Sequence, residues 1–270
     1  MTDFEVDRPG GTLVGEVTGT GPLAIVLLHA GIADRRMWTH VAPALEGHSV
    51  VRFDFRGYGQ SPPSSQPYRN GDDLGHVLDA LGIPRAHLVG ASMGGTVAME
   101  FALTDPGRVA SLALLATGLP GHDYGEAMHA YAEAEDAALA LGEVEAVVDI
   151  NLDMWVRGRG RQWDERNRAV AAEVRDALRT ITRNQIESED LEDEPALRVR
   201  DHLAEIGAPT LVVIAESDPE DFVAIGEHVA AGIPAARAVR LPDTAHLPAL
   251  ERPAETIALL RGWLAEVAGR

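Results

Sequence analysis

Gly90, Ser92 and Gly94 form a Gly-x-Ser-x-Gly pattern directly after the apolar residues Leu88 and Val89. An apolar run with helix-forming character follows through Thr96, Val97, Ala98, Met99, Phe101 and Ala102. A serine on so sharp a strand-to-helix turn has a strained backbone and an exposed hydroxyl. The flanking positions must be small, because a side chain at 90 or 94 would collide across the turn. The helix begins just after Ser92, so its free N–H groups point toward the serine. The Met93 N–H is then placed to donate to the oxygen that turns negative when Ser92 attacks a carbonyl. The plainer reading is a glycine-rich turn whose serine only caps the helix. The choice between them rests on what the rest of the chain can bring to Ser92.

A serine hydroxyl is a poor nucleophile at neutral pH and needs a base that titrates near the working pH, for which imidazole is suited. His246 follows the last strand-like segment, in a proline-flanked loop, and is the expected base. Among the nine other histidines, seven fall in or near helical stretches and connections and read as ordinary polar positions. His29 reads as a loop-fixing residue, and His122, at the start of a helical stretch, as the one rival and a pocket residue. The imidazole needs a carboxylate to fix its tautomer and to stabilise the imidazolium. Asp218 is the expected acid, with Asp221 and Asp123 as alternatives.

These residues need elements to hold them. The run 23–28 is continuously apolar, the pattern of a strand buried on both faces of a parallel sheet. Residues 49–53, 111–116, 210–214 and 238–241 read as further strands, and 12–17 as an edge strand. Helices are expected over 38–45, 70–81, 127–141, 166–181, 222–231 and 253–267. Strands alternating with helices imply a mainly parallel sheet covered on both faces, with ligands at the carboxyl ends of the strands. His29, Ser92, Asp218 and His246 each fall just after such an end. The strand–helix rhythm breaks after about residue 120 and resumes near 201, so residues 1–120 and 201–270 form the expected core and 121–200 an insertion. Residues 187–194 form an acidic run, read as a solvated face or loop.

Composition narrows the chemistry. The net charge of −19 argues against nucleic acid and anionic membranes as partners. No lysine is present, which removes Schiff-base and lysine-base mechanisms, and the cysteine count of 0 removes thiolate nucleophiles and disulfides. No metal or cofactor is called for. The start of the chain is acidic without an apolar signal core, and no apolar run reaches membrane-spanning length, so a cytoplasmic location is the expectation. The oligomeric state is not legible.

Several stretches together carry a family likeness: Leu27-Leu28-His29-Ala30-Gly31, Asp54-Phe55-Arg56-Gly57-Tyr58-Gly59-Gln60-Ser61, Gly90 to Gly95, Glu216-Ser217-Asp218 and Ala245-His246-Leu247-Pro248. The chain resembles an α/β-hydrolase from about residue 12 to its C-terminus, the insertion excepted. Ala30 and Ala245 stand where that family usually has glycine. The resemblance implies an α/β fold, a mainly parallel sheet flanked by helices, with an inserted helical cap over 121–200. It implies a serine hydrolase with the order Ser92, Asp218, His246. By register with the family, the second oxyanion donor is the Gly31 N–H, with Ile32 as runner-up. Ile32, His122, Trp155 and Leu247 are the expected substrate-binding residues. Asp54 and Arg56 read as a loop-bracing pair beneath the site. The expected substrate is a small-molecule ester or lactone, similar to those of carboxylesterases and enol-lactone hydrolases. The alternatives are carbon–carbon bond hydrolysis with the same triad, and a weakly catalytic binding protein on the same fold. Relatives that use aspartate as the nucleophile do not fit a serine at 92.

Overall fold

The computed structural model describes residues 1–45, 47–193 and 197–268. In chain order its elements are β1 (Thr2–Arg8), β2 (Gly11–Thr18), β3 (Ala24–Leu28), β4 (Ser49–Phe53), α1 (Asn70–Ala80), β5 (Ala86–Ala91), α2 (Met93–Thr104) and β6 (Val109–Leu115). Helices α3 (Glu126–Ala140), α4 (Val144–Asn151), α5 (Glu165–Glu187) and the short α6 (Val199–His202) follow. The chain ends with β7 (Thr210–Ala215), α7 (Glu220–Gly232), β8 (Ala236–Leu241), the short α8 (Pro248–Glu251) and α9 (Pro253–Ala268). Among the described residues the strands form one sheet in the order β1-β2-β4-β3-β5-β6-β7-β8. Pairing is parallel from β4 to β8 and antiparallel where β1 meets β2 and β2 meets β4.

The strand period of 2 sorts the core into two layers. Ile25, Leu27, Val89, Ala113, Leu115, Leu211 and Val213 pack on one face. Val26, Leu28, Leu88, Leu112, Leu114, Val212 and Ile214 pack on the other. That explains why β3, β5 and β7 are buried at every position.

Three sequence expectations change. Residues 12–17 do belong to a strand, but β1 pairs outside it, so β2 is interior. β1 is hidden in sequence because it alternates charged and apolar residues, as a half-exposed edge does. The helix expected over 38–45 is two 3-10 turns, Arg35–Trp38 and Ala42–Ala44. Pro43 lacks the N–H that a continuous helix would use. Trp38, Val41 and Leu45 are buried all the same. Finally, α5 outruns the expected 166–181. Asp164 caps it by accepting from the Asn167 N–H at 2.9 Å while the Asn167 side chain accepts from the Asp164 N–H at 2.9 Å.

The segment between β6 and β7 contributes α3, α4, a π-helical turn (Leu152–Arg157) and α5. The described acidic residues of the 187–194 run are exposed, as a solvated face would be, and one of them is tethered. Tyr68 forms a parallel bridge with Glu192, and Asn70 Nδ2 donates to Glu192 Oε1 at 2.8 Å. Glu194, the last residue of that run, lies outside the described residues.

Candidate active site

Ser92 sits between β5 and α2 at φ 49 and ψ −114, a conformation L-residues other than glycine rarely adopt. Its surroundings impose that geometry. A Cβ at Gly90 would lie 2.3 Å from the Gly94 carbonyl oxygen, and one at Gly94 would lie 2.4 Å from the Leu28 carbonyl oxygen. Helix and strand therefore touch through backbone, and Ser92 is left partly open to solvent.

β5, β6, β7 and β8 are parallel, so their carboxyl ends open on one edge of the sheet. Ser92, Asp218 and His246 leave from that edge. The Glu216 N–H donates to Leu241 O at 3.0 Å and the Ser217 N–H to Thr244 O at 2.9 Å, which sets the acid loop beside the histidine loop. His246 Nδ1 lies 2.8 Å from Asp218 Oδ2 and 2.9 Å from Oδ1, with both side chains almost fully buried. A proton on Nδ1 in that bond leaves Nε2 as the basic nitrogen. Burial pushes the Asp218 carboxyl above the ordinary aspartate value, His246 pulls it down, and Glu251 adds a smaller upward push. The alternative acid Asp221 is engaged elsewhere: it accepts from the Gly125 N–H at 3.1 Å and lies 3.2 Å from His122 Nε2. Asp123 is exposed.

Gly31 and Met93 are neighbours. A Cβ at Gly31 would lie 3.8 Å from Met93 Cβ. The loop that carries Gly31 is fixed from below by His29, which is fully buried. The Phe55 N–H donates to His29 Nε2 at 3.0 Å, so the protonated Nδ1 donates to Ala30 O at 2.9 Å. Burial lowers the His29 pKa, in keeping with a neutral structural ring. Asp54 and Arg56 do brace this region, but not as a pair. Asp54 accepts from the N–H groups of Arg35 and Gln60 at 2.8 Å each, while Arg56 is bound to Asp73 through Nε at 2.6 Å.

Trp155 lies directly on the histidine: the two ring centroids are 4.4 Å apart, and the His246 N–H donates to Trp155 O at 3.1 Å. Ile32, Trp155 and Leu247 belong to one buried cluster. His122 is further out, against Tyr124 at 5.1 Å, in an open groove with Tyr131, Met154, Trp163 and Asp221. Tyr124 and Phe222 stack at 6.3 Å, and Phe222 meets the His246 ring at 4.9 Å.

Four residues that sequence reasoning missed also meet here. Phe222 is one, an aromatic one helical turn past the acid loop. Tyr58 places its hydroxyl 3.7 Å from Met93 Sδ. Arg159, from the helical segment, donates through Nε to Asp218 O at 3.2 Å and through its N–H to Ser217 O at 2.7 Å. Glu251 accepts from the Ala245 N–H at 2.7 Å and pairs with Arg161 at 2.7 Å and Arg166 at 3.1 Å. The Arg157 to Arg161 stretch, turn-like in sequence, thus straps the segment onto both loops. Its alternating arginines were the available signal, but the loop partners of Arg159 and Arg161 lie 58 to 90 positions away in the chain, beyond any local pattern.

Fold and site define a class. The chain belongs to the alpha/beta hydrolase fold family, whose match covers residues 24–253. Over 97% of its length it is 27% identical to 3-oxoadipate enol-lactonase 1 of Acinetobacter baylyi, across 96% of that protein. It is 42% identical, over 38% of its own length, to a 2-hydroxy-6-oxononadienedioate/2-hydroxy-6-oxononatrienedioate hydrolase of Burkholderia vietnamiensis, and that match spans only 39% of the relative. A solved N-acyl homoserine lactone degrading enzyme matches with a TM-score of 0.78 at 29% identity, over 96% of this chain and 99% of that one. Among the described residues no helix is long and apolar enough to cross a membrane, and no cluster of ligating side chains could hold a metal ion.

Proposed function

We propose that this chain is a serine hydrolase that cleaves a carboxylic ester or lactone of a small molecule through an acyl-enzyme on Ser92. The observation that carries the reading is a strained, partly open serine on the same sheet edge as a buried His246–Asp218 pair. His246 Nε2 takes the Ser92 proton as Oγ attacks the carbonyl, and Asp218 stabilises the imidazolium. The Met93 and Gly31 N–H groups hold the oxyanion. The imidazolium then protonates the leaving alkoxide. Water, deprotonated by His246, cleaves the acyl-enzyme and restores the serine. Ile32, Trp155 and Leu247 line the acyl side, with His122 at the outer groove, and residues 121–200 act as the cap. A cytoplasmic place and partners limited to small molecules fit the acidic composition.

The full-length likeness to an enol-lactonase and to a lactone-degrading enzyme favours esters and lactones. The partial likeness to a dienedioate hydrolase keeps carbon–carbon bond hydrolysis as a second reading. Incubation with p-nitrophenyl butyrate tests the first. Turnover, and mass spectrometry of a quenched reaction that finds a butyryl adduct on the peptide containing Ser92, are the expected results. Turnover undiminished in Ser92→Ala overturns the assigned nucleophile.

A further inference from the structure

The carboxylate that would serve His246 has few anchors of its own. Among the described residues the Asp218 carboxylate has one hydrogen-bond partner, His246 Nδ1, at 2.8 and 2.9 Å. Its aim is therefore set by the backbone of the loop that carries it. That loop, Glu216-Ser217-Asp218, turns its polar groups two ways. Its N–H groups go to the core: Glu216 donates to Leu241 O at 3.0 Å, Ser217 to Thr244 O at 2.9 Å and Asp218 to Ala215 O at 3.3 Å. Its carbonyls go to one residue of the helical segment. Arg159 donates through its N–H to Ser217 O at 2.7 Å, through Nε to Asp218 O at 3.2 Å and through Nη2 to Glu216 O at 3.4 Å. Backbone groups need partners, and here a residue outside the core supplies three of them.

The chain around Arg159 is shaped for this approach. Arg159 stands between Gly158 at φ 78 and Gly160 at φ 70. Gly158 has ψ 168, a backbone region essentially restricted to glycine. It is also wedged between the acid and histidine loops: a Cβ there would lie 2.7 Å from Ser217 O and 2.8 Å from Ala245 Cβ. Just before it, Trp155 O accepts from the His246 N–H at 3.1 Å. One short pass of the segment thus holds the base through Trp155 and the acid through Arg159. The Arg159 side chain is 48% exposed and pairs with Glu220 at 3.0 Å. Water can replace the guanidinium on the loop carbonyls, so folding loses little without it. Water does not fix where the loop stands, and catalysis is sensitive to that position.

We propose that Arg159 is a positioning residue of the catalytic site: by holding the three carbonyls of the acid loop it keeps Asp218 aimed at His246 Nδ1. The inserted segment then takes part in catalysis and not in substrate choice alone. This rests on the serine-hydrolase reading above.

The test joins p-nitrophenyl butyrate kinetics to the low-field proton NMR line of the His246 Nδ1–H, assigned by its loss in His246→Ala. His246 serves both acylation and deacylation, so in Arg159→Ala kcat and kcat/KM should fall together by about tenfold or more, with KM within about twofold of the parent. The proton line should broaden or vanish as exchange with water quickens, while the thermal midpoint stays near the parent value. Arg159→Lys keeps a charge opposite Glu220 but lacks the planar fork that spans two carbonyls, so its kcat should stay below the parent. It also carries the test if the alanine variant folds poorly. Glu220→Gln removes the ion pair, leaves the carbonyl bonds and should keep the parent kcat and proton line. Parent kcat in both Arg159 variants, a loss confined to KM with the proton line intact, or an equal loss in Glu220→Gln overturns the positioning role and leaves the serine reading standing. A parent that turns over no ester overturns the serine reading, and this inference with it.

Discussion

The sheet edge around Ser92 and the helical segment that faces it are held by different physics. At the edge, backbone meets backbone: Gly94 has no room for a Cβ beside Leu28 O, and two residues before it Ser92 sits at φ 49. In the helical segment, side chains meet side chains. Arg175 reaches Asp149 at 3.0 Å and Arg179 reaches Glu145 at 2.6 Å, in pairs that are largely open to water. Exposed pairs of that kind contribute little stability and are easily exchanged. The half that would carry the chemistry is over-determined, while the half that would choose the substrate joins a buried apolar face, with Val148, Leu152, Val174 and Leu178, to replaceable ion pairs outside it. One fold can then serve many substrates by changing one segment.

The sharpest way to break this contrast is at Ser92. Ser92→Ala should lower p-nitrophenyl butyrate turnover by about a thousandfold or more while leaving the thermal midpoint near the parent value. Ser92→Gly should be equally inactive yet more stable by about 1 kcal/mol, since glycine relieves the positive φ, and chemical denaturation reads the gain. If Ser92→Gly is less stable than the parent, the strain argument fails.

Next in size is a single methyl group. Gly94→Ala should cost about 3 kcal/mol, because the Cβ has only backbone to displace. Arg179→Gln in the helical segment should leave the melting curve within measurement error. Equal melting shifts in the two variants would erase the distinction between the halves.

Glu251 is where the halves are joined, and its variants sharpen the comparison. Glu251→Ala removes the buried partner of Arg161, which keeps only the exposed carboxylates of Asp243 and Asp164, and frees the Ala245 N–H, for a lower kcat and a cost of about 2 kcal/mol in denaturant melts. Glu251→Gln keeps the acceptor for Ala245 and loses the charge. It should therefore recover most of the lost kcat but less of the stability. Recovery of neither would mean that the residue does not position the histidine loop.

The smallest effect is a pH dependence at Glu192. Its folded-state pKa of about 7 lies above its ordinary value of 4.5, so between those values the folded state binds more protons than the unfolded one. Stability from this group is fully present below 4.5 and is lost as pH rises toward 7. Glu192→Gln should accordingly raise the thermal midpoint over the parent at pH 8, and the difference should vanish near pH 4. A difference independent of pH would place the effect outside this carboxyl.

Much of the sheet was legible because burial on both faces writes a continuous apolar run, as in residues 23–28, and a strand so marked cannot sit elsewhere. The turn at Ser92 was legible because close backbone contact demands glycine locally. β1 escaped notice because an edge strand needs no continuous apolar face. The 3-10 turns around Trp38 read as one helix because burial of Trp38, Val41 and Leu45 mimics helical spacing.

The order of Ser92, Asp218 and His246 along the chain, and their position after strand ends, follow from local patterns that sequence alone determines. Only the tertiary structure decided that Trp155 lies on His246, that Tyr58 touches Met93, and that Glu251 joins the histidine loop to Arg161. Those contacts join side chains far apart in sequence, and packing, not periodicity, brings them together.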